Sequence, residues 1–296
     1  MELFGLLPVY KPRGPTSTEV MNTIKKHFSV NRIGHTGTLD PFAEGLLVFL
    51  IGKATRLSEY YQKLPKEYIT TGLLGTITDT YDITGKPLTP PKENIEISKD
   101  RLLEVLETFK GKILQTPPPF SAKKIKGKRA YKLARQGKKV SLKPVEVSIY
   151  ELELLEFNPP YFTLRTVVSG GTYIRSLIHD IGQKLGVGAT TYSLKRTKIG
   201  SLSLEEAFPL EELLNKPPTE LENILLPPDK GLDYMPEVEL SLQDLSLVKN
   251  GRKIPLREDI EGELFRLKFK GNLVALARKD KNLLKPEKVF ISPIGN

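Results

Sequence analysis

The sequence predicts an α+β fold in two unequal parts, and three observations carry that reading. Apolar or alternating runs of strand length recur at 4–10, 45–51, 67–74, 145–156 and 161–168. Between them lie segments whose apolar residues repeat every three or four positions, the helical period. Past a proline- and acid-rich stretch at 209–236, a tail of roughly 60 residues carries only short strands, the make-up of a small β-barrel.

In chain order, the strand at 4–10 ends in the turn-rich Lys11-Pro12-Arg13-Gly14-Pro15, and Thr16 or Ser17 caps a helix through His27, with Val20, Met21 and Ile24 on its apolar face. Residues 31–44 are polar and rich in Gly and Pro, hence a loop; 45–51 is a buried strand, 53–62 a helix and 67–74 a strand. From Ser98 to Lys110, Leu102, Val105, Leu106 and Phe109 mark one face of a helix. Pro117-Pro118-Pro119 precedes a basic stretch, and a short helix at 130–136 is stopped by Gly137. After the strands at 145–156 and 161–168, a helix opening at Thr172 buries Ile174, Ile178, Ile181 and Leu185. The segment 209–236 reads as a connector. In the tail, Ser241 and Asp244 form a capping box for a short helix that Gly251 closes, and strands follow at 263–268, 273–278 and 288–291. The expected division is a catalytic part at 1–230, with an arm at about 117–143, and a second domain at 231–296.

Composition removes several function classes. With no cysteine there is no disulfide, thiol nucleophile, iron–sulfur cluster or Cys-based zinc site. Only His27, His35 and His179 are present, and no two have helical ligand spacing, so no metal is expected. No phosphate-cradling Gly-rich motif follows a strand, so no nucleotide cofactor is expected either. No run approaches the ~18 apolar residues of a membrane helix. Residues 1–10 lack the basic leader and cleavage site of a signal peptide. A soluble, cytoplasmic protein without a membrane partner is the expectation. The formal charge of +10 fits a lysine-rich surface or a nucleic-acid partner, and the clustering of the charges favours the latter.

Three segments carry chemistry. In 32–47, glycines at 34, 37 and 45 permit tight turns, and Pro41 forces Asp40 out of the helical region. Asp40 is then either a carboxylate presented on a stiff loop or the start of an Asp-Pro turn. In Ser169-Gly-Gly-Thr-Tyr-Ile-Arg175, a cap at Thr172 puts Arg175 third in its helix, where the dipole disfavours a cation. Arg175 therefore either has a nearby anion or lies on a frayed first turn, and the helix N–H groups beside Gly170 and Gly171 suit a phosphate. The third segment holds Lys123, Lys124, Lys126, Lys128, Arg129, Lys132, Arg135, Lys138 and Lys139, with Gly127 among them. It is a phosphate-binding arm or a solvated loop, and its proline and glycine stops favour the arm.

Seven motifs in order, Lys11-Pro-Arg-Gly-Pro-Thr-Ser17, Gly34-His-Thr-Gly-Thr-Leu-Asp-Pro41, Lys66-Glu-Tyr68, Gln115-Thr-Pro-Pro118, Ser121-Ala-Lys123, Ser169-Gly-Gly-Thr-Tyr-Ile-Arg175 and Leu194-Lys-Arg-Thr197, resemble the TruB family, the bacterial tRNA pseudouridine-55 synthases. The match covers the first two hundred residues or so; the tail is similar, more weakly, to a PUA-type RNA-binding domain. The resemblance implies the pseudouridine synthase fold, a mixed, largely antiparallel central sheet flanked by helices. It implies isomerisation of uridine 55 in the tRNA T-arm loop, without cofactor or guide RNA, by a monomer. It assigns Asp40 as catalytic aspartate, Tyr68 as the tyrosine beside the target base, and Arg175 as the partner of Asp40; the chemistry then needs a general base, with Tyr68, directly or through water, the candidate. It assigns His35, Tyr173 and Leu194, with Tyr68, to the flipped nucleotide. The departures are Lys195, more often Arg in the family, and Gly170-Gly171, one of which is commonly polar.

Three rival readings follow from the same residues. Asp40 with Glu44 is a conceivable glycosidase pair, though the chain has no tryptophan for sugar stacking. A non-catalytic RNA binder would use arm and tail alone. A guide-dependent relative is disfavoured by the long segment after Gln115 and by Phe42-Ala-Glu-Gly-Leu-Leu47.

Overall fold

Two sheets organise the chain, and the larger one positions the candidate site. The computed structural model describes residues 3–120, 124–125, 128–129, 142–257 and 260–291. The first sheet is built from β1 (Phe4–Lys11), β2 (Ile33–His35), β3 (Glu44–Gly52), β4 (Lys66–Leu74) and β5 (Gly111–Gln115). After a two-residue ladder between β6 (Lys124–Ile125) and β7 (Lys128–Arg129), it continues with β8 (Val145–Asn158), β9 (Tyr161–Val168), β10 (Ala189–Ile199), β11 (Leu202–Ser203) and β12 (Phe208–Pro209). The order is β12-β1-β3-β10-β4-β9-β8-β5, with β2 on β3 and β11 on β10. Only β1 with β12 and β3 with β10 run parallel, so the expected mixed, largely antiparallel sheet is what forms.

Strand β3 shows why its sequence is continuously apolar. Alternate side chains of a strand face opposite sides of a sheet, and both sides are covered here. Leu46, Val48 and Leu50 pack with Ala54, Leu57 and Tyr61, whereas Leu47, Phe49 and Ile51 meet Val20 and Ile24 of α1 (Ser17–His27). Each such side chain, fully buried, contributes about 1.5–3 kcal/mol. Thr16 caps α1, and Glu19 completes a reciprocal capping box. The expected helix at 53–62 divides into a 3-10 turn, Lys53–Leu57, and α2 (Ser58–Lys63). On the far half of the sheet, α3 (Lys99–Glu107), capped by Ser98, supplies Leu102, Val105 and Leu106. They share a core with Leu177, Ile178 and Ile181 of α4 (Ile174–Lys184).

Several readings are corrected. The loop at 31–44 contains β2, because residues 33–35 pair with Phe49, Leu50 and Ile51. Strand β10, absent from the sequence reading, lies near the centre of the sheet. Helix α4 begins at Ile174 after an N-cap at Tyr173, so Arg175 is second in its helix rather than third. The stretch 209–236 is no free connector. It forms α5 (Leu210–Asn215) and α6 (Leu221–Ile224), buries Leu213 and Leu221, and exchanges two backbone hydrogen bonds between Leu6 and Leu226 at 2.9 Å. The helix expected at 130–136 lies outside the described residues.

The tail forms a five-stranded sheet: β13 (Glu237–Glu239), β14 (Ile254–Pro255), β15 (Leu264–Phe269), β16 (Asn272–Asp280) and β17 (Leu283–Val289), in the order β13-β15-β16-β17-β14. The final strand starts at 283 rather than 288. The capping box of Ser241 and Asp244 opens α7 (Leu242–Lys249) as read, and Gly251 follows it at φ 68°. Leu273, Leu276 and Phe290 join the core beside Leu57 and Tyr61, and Arg56 Nη1 donates to the Val289 carbonyl at 2.6 Å. The second sheet therefore rests on the 3-10 turn that leads into α2. Among the described residues no helix is long and apolar enough to cross a membrane.

Candidate active site

A cavity of about 350 Å³ opens at the ends of β2, β4 and β10 and the start of α4. It is lined by all six residues singled out from the sequence for chemistry or for the nucleotide: His35, Asp40, Tyr68, Tyr173, Arg175 and Leu194. Cavities of roughly 300–1,000 Å³ suit small ligands, and this one has room for a single nucleoside.

Asp40 both begins a turn, its carbonyl accepting from the Ala43 N–H at 3.1 Å, and presents its carboxylate, so the two alternatives read from Asp-Pro hold together. Arg175 Nε donates to Asp40 Oδ2 at 2.8 Å, and Nη2 donates to Oδ1 at 3.2 Å. Such a two-pronged, charge-assisted contact fixes direction as well as distance. The arginine side chain is 5 % exposed and the aspartate 33 %, so the guanidinium is scaffold while the carboxylate faces the cavity.

The remaining donors of Arg175 are also engaged. Nη1 donates to the Thr80 carbonyl at 2.8 Å and lies 3.7 Å from Asp82 Oδ2, while Nη2 donates to the Phe120 carbonyl at 3.0 Å. Asp82 is buried, and its other oxygen accepts from the backbone N–H and hydroxyl of Thr84. The cation predicted to need an anion near the start of its helix thus has two.

The loop bearing Asp40 is held at several points. Ser17 Oγ accepts from the Leu39 N–H at 2.8 Å and donates to the Leu39 carbonyl at 2.9 Å. Arg196, buried in β10, donates to the carbonyls of Leu46, Gly37 and Thr38. Lys11 donates to the carbonyls of Pro12, Pro15 and Pro41, and burial pushes its ammonium down to about 8. Gly45, at φ 109°, permits the close crossing of β3 and β10: a Cβ there would lie 2.3 Å from the Arg196 carbonyl oxygen.

The opposite wall is built from α2 and the 169–173 turn. Lys66 donates to the carbonyls of Tyr61, Gln62 and Leu64, tying off the end of α2; burial, with nearby Arg196, pushes it down to about 7. A Cβ at Gly170 would stand 2.3 Å from the Gln62 carbonyl oxygen, which accounts for glycine at this position. Gln115 grips Tyr173 from both sides, accepting from its N–H at 2.8 Å and donating to its carbonyl at 3.0 Å. From there the chain passes Ser176, which donates to the Thr116 carbonyl, and reaches Arg175 at Phe120. Three prolines keep this stretch out of helix.

Tyr68 and Leu194 face the cavity from β4 and β10, and the His35 ring accepts from the Gly37 N–H at 3.3 Å. Glu44 does not line the cavity: it accepts from the Tyr10 hydroxyl at 2.8 Å and meets Arg13 at 3.6 Å, which removes the carboxylate pair a glycosidase would use. Lys195 lies outside the cavity, 5.6 Å from the centre of the Tyr10 ring. Of the basic arm, Lys123, Lys126, Lys132, Arg135, Lys138 and Lys139 lie outside the described residues, as do the side chains of Lys124, Lys128 and Arg129. Residues missed for the site are Asp82, whose turn-rich segment at 75–91 has no period to read, and the buried anchors Gln115, Lys66 and Arg196, which were quoted in motifs without a role.

This fold and site define a class. The model for the N-terminal domain of TruB family pseudouridylate synthases matches residues 25–174, and that for the tRNA pseudouridylate synthase B C-terminal domain matches 175–233. The tRNA pseudouridine synthase B of Aquifex aeolicus is 44% identical over 290 residues, 97% of this chain and 99% of its own length. That of Thermotoga maritima is 39% identical over 285 residues, 94% of this chain and 91% of its own. Among solved structures, a Cbf5-Nop10-Gar1 complex contains a chain with TM-score 0.76 and 27% identity, covering 98% of this chain and 86% of that one. The chain belongs to the TruB family of pseudouridylate synthases.

Proposed function

We propose that this enzyme isomerises uridine 55, in the T-arm loop of tRNA, to pseudouridine, with Asp40 as the reacting group. The carrying observation is the cavity-facing carboxylate clamped by a buried guanidinium. The names of its relatives support tRNA as substrate.

The reaction breaks the bond from C1′ to N1 of uracil, leaving the electron pair on the base, turns the base and joins C1′ to C5, after which C5 loses its proton and N1 takes one up. The proton lost at C5 is matched by the one gained at N1 and no electrons are exchanged, so no oxidant or energy source enters. Asp40 assists bond cleavage as a nucleophilic carboxylate held at fixed aim. Tyr68, directly or through water, accepts the C5 proton. His35, Tyr173 and Leu194 enclose the nucleoside, which must first be flipped out of its stack at a cost of a few kcal/mol. Contacts from the arm at 117–143 and from the tail offset that cost. They read RNA mainly by shape and phosphate. Residues 1–230 act as the catalytic domain and 231–296 as a PUA-like RNA-binding domain; the separate sheet at 237–289 supports that division.

The enzyme acts as a monomer, in the cytoplasm and without guide RNA. Its likeness at 44% identity to a tRNA pseudouridine synthase B, against 26% to a chain in an H/ACA RNP bound to a substrate RNA, supports the stand-alone reading. The test is tritium release from 5-tritiated uridine in a T-arm hairpin, with the full-length protein alone. Release at the target position is expected. No release, or release only after guide RNA is added, overturns the reading.

A further inference from the structure

Arg175 and His179 stand four residues apart on α4, so they project from the same face of the helix one turn apart. Arg175 aims Asp40, and its outer nitrogen is itself held by the Thr80 carbonyl at 2.8 Å and faces the Asp82 carboxylate at 3.7 Å. The residue between those two holders is Tyr81. Its φ is 63°, in the left-handed region that a residue with a bulky side chain seldom adopts. A conformation of that kind persists only where the surroundings over-determine it.

The surroundings of Tyr81 are plain. Its ring lies flat on the His179 imidazole, with centroids 3.8 Å apart and planes 7° from parallel. Its N–H donates to the Thr78 carbonyl and its carbonyl accepts from the Thr191 N–H at 3.0 Å. His179 Nδ1 is buried and has no hydrogen-bond partner among the described residues. The contact this imidazole makes with the turn is through its face. Neither ring lines the cavity, so neither touches the nucleoside.

We infer that the Tyr81–His179 stack positions Arg175: it locks the 78–82 turn onto α4, so that Thr80 and Asp82 hold the guanidinium in the orientation that aims Asp40. Tyr81 and His179 are positioning residues, one step removed from the reacting atoms. The inference rests on the reading of Asp40 and Arg175 as the reacting pair and extends it.

Flat stacking requires an aromatic ring at each position but no particular polar atom, and that distinction supplies the test. Full-length wild type, Tyr81→Phe, Tyr81→Ala, His179→Phe and His179→Ala are compared in single-turnover tritium release at saturating hairpin, with hairpin Kd and thermal midpoint measured alongside. Both Phe variants should keep rates within about threefold of wild type, while both Ala variants should lose about tenfold or more, at unchanged Kd. A purely structural role would instead lower rate and binding together, or would leave the rate of folded protein untouched. If Tyr81→Ala does not fold, the His179→Phe and His179→Ala pair decides. Ala variants at the wild-type rate, or Phe variants as slow as Ala variants, sink the stack alone. Failure of wild type to release tritium at all sinks the reading of the site.

Discussion

Lys11 Nζ lies 3.4 Å from the carbonyl oxygen of Pro41, the residue that follows Asp40. A fully buried ammonium thus fixes the backbone beside a cavity-facing carboxylate, from a strand that is itself paired along its length to β3. Buried lysines are uncommon, and each here is held by three backbone carbonyls rather than by an acid.

That arrangement makes stability depend on pH in a definite direction. Burial pushes Lys11 down to about 8 and Lys66 to about 7, whereas both titrate near 10.4 once unfolded. Between about pH 8 and 10 the unfolded chain holds protons that the native state has shed, so stability rises with pH, by up to ~1.4 kcal/mol per unit for each lysine. Below about pH 7 both states are protonated and these lysines give no slope. Urea unfolding at pH 7.5 and 9.5 should show the midpoint rising, and Lys66→Met should flatten the rise. Equal slopes in the two proteins would refute the account.

Asp40→Asn keeps the shape of the side chain and removes its charge. Tritium release should fall below about 10⁻³ of wild type, as for loss of a group acting in the transition state, while hairpin Kd stays within about twofold. Arg175→Lys keeps the charge but cannot reach both oxygens of Asp40 and the carbonyls of Thr80 and Phe120 together. Its kcat should fall by roughly 10²-fold. Wild-type turnover by either variant would exclude the pair from the reaction.

Asp82 lies 3.7 Å from Arg175 and does not line the cavity. Asp82→Asn retains an acceptor for Thr84 but removes one of the two anions flanking the guanidinium. The expected loss in kcat is about 10- to 100-fold, equivalent to roughly 1.4–2.8 kcal/mol, with little change in KM. A rise in KM at constant kcat would assign Asp82 to substrate binding instead.

Gly45→Ala combines a strained φ of 109° with a clash at the Arg196 carbonyl. A destabilisation of about 2 kcal/mol or more is expected, from backbone strain and overpacking together. Gly111→Ala, at φ 85° with open space around it, isolates the strain and should cost about 1 kcal/mol. Urea unfolding of the two variants measures the difference; equal losses would show that the close crossing of β3 and β10 is unimportant.

What the sequence disclosed follows from where the signals are local. Asp40 was conspicuous because Pro41 restricts it, and Arg175 because a cation near a helix start breaks a dipole rule. Strand β10 escaped notice because bulges at 191–193 and 196–198 interrupt its alternation. Asp82 escaped because only tertiary folding brings it to Arg175, ninety-odd residues later in the chain. The start of α4 was misplaced by one residue because its opening is held by Gln115, from 58 positions earlier, and not by a local cap. The connector at 209–236 was misread because proline and acid content say nothing about the apolar faces of α5 and α6 that dock on α1 and β1.

The place of β10 in the large sheet also governs how the enzyme comes into being. It is inserted between β3 and β4, which are made more than a hundred residues earlier. A chain leaving the ribosome therefore leaves β4 unpaired on both sides until β9 is made, and on one side until residue 199 has emerged, while β3 has β1 and the short β2 for neighbours. Such long-range closure is slow and leaves nascent chains prone to aggregation. Asp40, Tyr68 and Arg175 all exist before that moment, yet the wall that Leu194 and Arg196 supply does not. The lining of the cavity is therefore completed late, when β10 enters between its two neighbours.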